Sequence, residues 1–145
     1  MKSKQLSGGP ERTFALIFDE GDEVMAGLQA FAEAHDLTAA RFDGIGAFRD
    51  VTLGYFDWET KEYRRNRFDE QVEVVSLTGD VAVNDGAPAV HAHVAVARAD
   101  ATALGGHLVE GHVRPTVELV LVESPAHLRK RHDDRTGLAL IDADA

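Results

Sequence analysis

A chain of 145 residues, 44% hydrophobic and 28% charged, has the size and balance of one globular domain that buries its core without covalent staples. Its 25 acidic against 15 basic residues leave a net charge of −10, the wrong sign for a protein whose whole surface would attract a phosphate backbone. No apolar run approaches the roughly 20 residues needed to span a bilayer, and with no cysteine present any metal must be held by histidine and carboxylate.

Residues 1–11 are polar and read as a flexible leader without the apolar centre of a secretory signal, which points to the cytoplasm. Thr13-Phe14-Ala15-Leu16-Ile17-Phe18 follows as a strand apolar enough to be buried on both faces. Asp19-Glu20-Gly21-Asp22 stops it and suits the start of a helix, where negative charge is favoured. From Glu23 to about His35, Val24, Leu28, Phe31 and Ala32 recur at helical spacing and form one apolar stripe, with His35 closing the helix.

Thr38–Phe42 is the next expected strand, and Val51–Phe56 another. Between them Gly44-Ile45-Gly46 resembles a fragment of a phosphate loop, but a strand pattern rather than a helix follows, so a turn or bulge is expected. Arg41, between apolar neighbours, needs an anionic partner, either a structural carboxylate or an anionic substrate. Residues 51–68 read as a hairpin with a polar tip. Tyr55, Phe56, Trp58 and Tyr63 cluster there, as packing residues or as a stacking surface. Two basic runs, Arg64-Arg65-Asn66-Arg67 and Arg129-Lys130-Arg131-His132, are the local candidates for nucleic-acid contact.

A long β run, Glu70–Val83, is broken by Gly79 and turns at Asn84-Asp85-Gly86-Ala87-Pro88 into Val90-His91-Ala92-His93-Val94-Ala95-Val96. A strand has a period of two, so His91 and His93 share one face. His107 follows His93 by 14 residues, enough for a loop and a return strand, and Gly105-Gly106 beside it permits close approach of another backbone or a ligand. Three imidazoles on adjacent strands form a candidate ligand set for zinc or another divalent transition metal, with a coordination position left open. His112, at odd separation from His107, belongs at the surface or behind a ligand. Thr116–Glu123 is a last strong strand. Within it Glu118 needs a partner, either Arg41 or a ligand histidine. The tail from Ser124 is polar apart from Gly137–Ile141.

With seven or eight strands, one main helix and no βαβ rhythm, the expected fold is a single α+β domain with a mixed, largely antiparallel sheet curled toward a barrel. So extensive a sheet with one helix leaves apolar surface for a second copy of the chain to cover.

Phe42–Phe48 through Val51–Gly54, the segment Val72–Gly79, and His91-Ala92-His93 with Gly105-Gly106-His107 resemble the plants and prokaryotes conserved (PPC) domain, strongest over residues 12–125 and extending over 12–145. The resemblance implies a homotrimer that can hold a metal at His91, His93 and His107. In plants the domain follows AT-hook segments and is associated with DNA binding. This sequence contains no Arg-Gly-Arg-Pro hook. A more distant fold-level similarity to acetolactate decarboxylase implies an alternative, a small zinc-dependent enzyme acting on a carboxylate-bearing metabolite. There the metal would be a Lewis acid, and Arg41 or Glu118 would serve an anionic substrate or a proton transfer.

Overall fold

Alternating apolar residues organise this chain into strands almost from end to end. The computed structural model describes residues 1–9 and 11–144, and among them are nine strands and one helix. In order these are β1 (Lys2–Gly8), β2 (Arg12–Asp19), α1 (Val24–Ala34), β3 (Ala39–Asp57), β4 (Glu62–Phe68), β5 (Val72–Asn84), β6 (Ala87–Ala97), β7 (Ala103–Glu123), β8 (Arg129–Asp133) and β9 (Leu138–Asp142). The fold is α+β with a mixed sheet. Every strand pairing is antiparallel except that of β5 with β8. β3 pairs with β5, β5 with β6, β6 with β7 and β7 again with β3, so the central strands close a ring, as the expected curl toward a barrel requires.

The core lies inside this ring and under the helix. Phe14, Leu16 and Phe18 of β2, Phe42, Phe48 and Leu53 of β3, and Val94, Val96 and Leu108 beside the histidines are all buried. Their faces interdigitate with Val24, Leu28, Phe31 and Ala32, the helix stripe legible from the sequence. Glu23 caps α1 through its carboxylate, which accepts from the backbone N–H groups of Met25 and Ala26, and His35 ends it.

The same helix holds the two strands that carry the histidines. Glu23 Oε1 also accepts from Gly111 N of β7 at 3.0 Å. Gln29 donates to Pro88 O at 2.8 Å and accepts from Val90 N at 3.2 Å, clamping the start of β6.

Three expectations are corrected, and the tail gains a structure that the sequence reading left open. Residues 2–8 of the expected flexible leader form β1, because β2 would otherwise present an unpaired edge. Lys2 pairs with Asp19 at 2.9 Å and the N-terminal ammonium with Asp22 at 2.5 Å. β2 is buried on one face only, with Ala15 and Ile17 half-exposed on the other. The two strands expected at 38–42 and 51–56 are one continuous β3, whose register shifts between Gly44 and Gly46. A Cβ on Gly46 would lie 2.3 Å from Thr116 O, so this glycine lets β3 and β7 approach through the bulge. The polar tail forms the β8–β9 hairpin, fixed by Val83 N donating to Leu128 O at 2.8 Å and Lys61 Nζ donating to Arg135 O at 2.7 Å. No described helix is long and apolar enough to cross a membrane.

His112 lies on β7 directly opposite Asp50 of β3. Its Nδ1 donates to the buried Asp50 carboxylate at 2.8 Å, and Arg49 donates to the same group at 2.9 Å. Burial alone would raise the pKa of Asp50, but the bonds from His112 and Arg49 outweigh it and lower it. Because the folded-state pKa lies below the unfolded one, the stability Asp50 contributes is present above the ordinary carboxylate value, about 3.9, and is lost as pH falls through the folded value. Asp50→Ala is expected to cost about 1–3 kcal/mol at pH 7 in denaturant unfolding. The gap to wild type should narrow below pH 4, and a gap independent of pH would contradict this assignment.

Candidate metal centre

Register builds the site. On β6, Ala92, Val94 and Val96 point into the core, so His91 and His93 stand on the outer face. His93 lies opposite His107 of β7 on one side and Thr78 of β5 on the other, while His91 lies opposite Asp80. A Cβ on Gly106 would fall 2.8 Å from Gly54 O, so the glycine beside His107 admits a neighbouring backbone, as its position in the sequence suggested.

The three ring centroids are 5.1, 5.2 and 5.6 Å apart, and one nitrogen from each ring lies within 4.8 Å of the others. Two ligand nitrogens at zinc distance from one ion can be at most about 4.2 Å apart, so small side-chain rotations bring this set onto a single ion. His107 Nδ1 is buried and has no hydrogen-bond partner. Burial, followed by the neighbouring charges of His91, His93 and Lys130, pushes the pKa of His107 down to about 4, and burial and His91 also lower that of His93. At neutral pH both rings therefore keep the lone pair that a metal needs. Three imidazoles, no thiolate and one orphaned buried nitrogen fit a borderline divalent cation such as zinc.

Three further residues adjoin the triad. Asp80 Oδ2 is 3.6 Å from His91 Nδ1, on the side of the ring away from Nε2, where a carboxylate orients the imidazole. Tyr63 stacks on His107 with centroids 4.7 Å apart. Lys130 of β8 lies 3.4 Å from the other oxygen of Asp80. Asp80 was within reach of sequence reasoning, because a two-residue Asp85-Gly86 turn fixes the hairpin register that sets Asp80 against His91. Lys130 had no such signal, being carried in by the tail. Tyr63 stood in the aromatic cluster of the hairpin tip without any mark of its contact with His107.

Arg41 and Glu118 do not join the histidines. Arg41 is opposite Asp80 but two strands from His91, and its exposed guanidinium lies 3.7 Å from Asp43. Glu118 is exposed on the outer face of β7, paired in register with Ile45, because Val117 and Leu119 take the buried positions. The basic runs are largely neutralised by acids. Arg64 pairs with Asp57, Arg67 with Asp69 and Asp50, Lys130 with Asp80, and Arg131 with Asp142.

The architecture is thus a small α+β domain, a β-ring clamped by one helix, that brings three outward imidazoles together on adjacent strands. The Plants and Prokaryotes Conserved (PCC) domain family matches residues 5–125, and the chain belongs to that family. It is similar to a proposed DNA-binding protein from Bacteroides thetaiotaomicron, with 26% identity, 99% of each chain covered and a TM-score of 0.89. It is also similar to a metal-containing protein from Archaeoglobus fulgidus, with 32% identity, 97% of this chain and 99% of that one covered and a TM-score of 0.83. A bifunctional GlmU protein from Synechococcus is 30% identical over 92% of this chain, which spans only 20% of that relative's length. The fold alone is shared with α-acetolactate decarboxylase from Bacillus subtilis, at 13% identity and a TM-score of 0.54 over 76% of this chain and 51% of that one.

In metal-free protein, His107 is expected to titrate near pH 4 in a two-dimensional NMR titration of the imidazole nitrogens. A midpoint near the ordinary histidine value of about 6.5 would contradict the described burial.

Proposed function

We propose that this chain binds a divalent transition metal, zinc first among the candidates, through His91, His93 and His107. The assembly is a homotrimer with a binding or regulatory role toward small anionic ligands. The observation carrying this reading is the convergence of three ligand nitrogens within 4.8 Å, one of them buried without a partner. Similarity to a metal-containing protein of the same fold supports it. Three protein ligands leave a position for water or a ligand oxygen, and the Asp80 carboxylate stands 3.6 Å behind the His91 ring, close enough to orient it once the site tightens on an ion.

DNA is a weaker partner for this molecule. The net charge is −10, and most arginines of the two basic runs already face carboxylates. A second reading, a small zinc-dependent enzyme acting on a carboxylate-bearing metabolite, is favoured by a cavity that borders His91. An ion with an open position beside a chamber has the arrangement that Lewis-acid chemistry needs.

For the trimer, the support is an apolar outer face. Ile45, Val75 and Val120 are 64%, 56% and 40% exposed and, with Ala15 and Ile17, surround a hollow of about 500 Å³ to which Asp43 and Glu118 add two carboxylates. A patch of this kind is what a second copy of a chain covers. The family resemblance supplies the number three.

Protein purified without chelator is expected to carry close to one metal per chain by elemental analysis. His91→Ala and His107→Ala should each lose more than nine-tenths of it while keeping the wild-type circular dichroism. A metal-free wild type would refute the site. Light scattering should give three times the 15.7 kDa chain mass, falling to one chain in Val75→Asp. A monomeric wild type would refute the assembly.

A further inference from the structure

Lys130 is an unusual lysine. Its side chain is only 8% exposed, yet among the described residues its ammonium, with three donors, has a single loose ion pair, 3.4 Å from Asp80 Oδ1. That oxygen is itself buried and makes no hydrogen bond. Burying a charge is costly unless it is well paired, so a pair seated this loosely is short of partners on both sides. Lys130 lines a cavity of about 340 Å³ together with Tyr63, Asp80, His91, Leu140 and Ile141. Here β8 and β9 lie over the outer face of the sheet beside the histidine triad. The hairpin stands beyond residues 5–125, the part that the family pattern matches.

Lys130 Nζ and His91 Nδ1 stand 3.4 and 3.6 Å from the two oxygens of the same carboxylate, so the ammonium and the histidine share Asp80 and line the same chamber. With a divalent ion on the histidines, the ion and Lys130 outweigh Asp80, and the chamber is net positive. Its hairpin wall is apolar, which suits the short carbon skeleton of a small acid.

We propose that this chamber is a subsite for small oxygenated carboxylates: Lys130 receives the carboxylate, and a neighbouring oxygen of the same molecule takes the open position on the metal. The proposal rests on the metal reading above and adds to it a ligand class and a recognition residue. Asp80 is a positioning residue in this arrangement, holding the His91 ring and the Lys130 ammonium at once.

The test uses the full chain loaded with cobalt(II), whose visible absorption reports its coordination, titrated with L-lactate and, as a control without the carboxylate, with 1,2-propanediol. Lactate should change the wild-type spectrum saturably and the diol should not. Lys130→Gln and Lys130→Met should bind cobalt at the wild-type stoichiometry but need at least tenfold more lactate. Equal lactate affinity in both variants, or no lactate response in cobalt-loaded wild type, overturns the subsite and leaves the metal reading intact. Failure of wild type to bind cobalt overturns both. If one variant loses its native circular dichroism, the other decides.

Discussion

Antiparallel register on the two sides of β6 is the constraint from which the rest of the site follows. Once His93 is paired with His107 on one side and Thr78 on the other, strand pleating puts His91 and His93 on the same face, with Asp80 directly across from His91. A slip of one residue would turn both imidazoles into the core and bring Ala92 and Val94 out. The core therefore enforces the site. Ala92, Val94 and Val96 have to be buried, and burying them forces the histidines outward.

The helix strengthens this constraint. α1 touches both histidine strands through two polar side chains, Glu23 at Gly111 and Gln29 at Pro88 and Val90, while its apolar stripe packs on the core. The protein thus spends its one helix as a clamp, and the imidazoles stand on rigid strands rather than on loops. A preorganised ligand set of this kind loses little freedom when a cation arrives. The same burial that holds the rings favours neutral His107 and His93 at physiological pH, so protons would not compete there with the proposed metal.

Local patterns made much of this legible in the sequence. The helix stripe, the His-x-His periodicity, the return strand and the glycine close approach each depend on residues near one another in the chain. What escaped depends on contacts between distant segments. β1 forms because an edge of β2 needs a partner, which no property of residues 2–8 announces. Glu118 looked like a buried carboxylate because it stands in an apolar run, but the run serves a strand whose other face is the apolar outer surface with Ile45, Val75 and Val120. Arg41 was misleading for a related reason, since a strand interior in sequence can still be an exposed face in space. Lys130 is 37 residues beyond His93 by subtraction, and only the folding back of the β8–β9 hairpin brings it to the triad.

Family membership and site geometry carry different weight in this account. The family accounts for the ring of strands and its one helix, while the reading of a metal centre rests on three nitrogens and the carboxylate behind them. Anomalous diffraction at the zinc edge from crystals of the full chain grown with zinc addresses that claim most directly. The account predicts one strong peak per chain bounded by His91, His93 and His107, about 2.0–2.1 Å from one nitrogen of each. A well-ordered triad with no peak, or a peak held by other side chains, would contradict it.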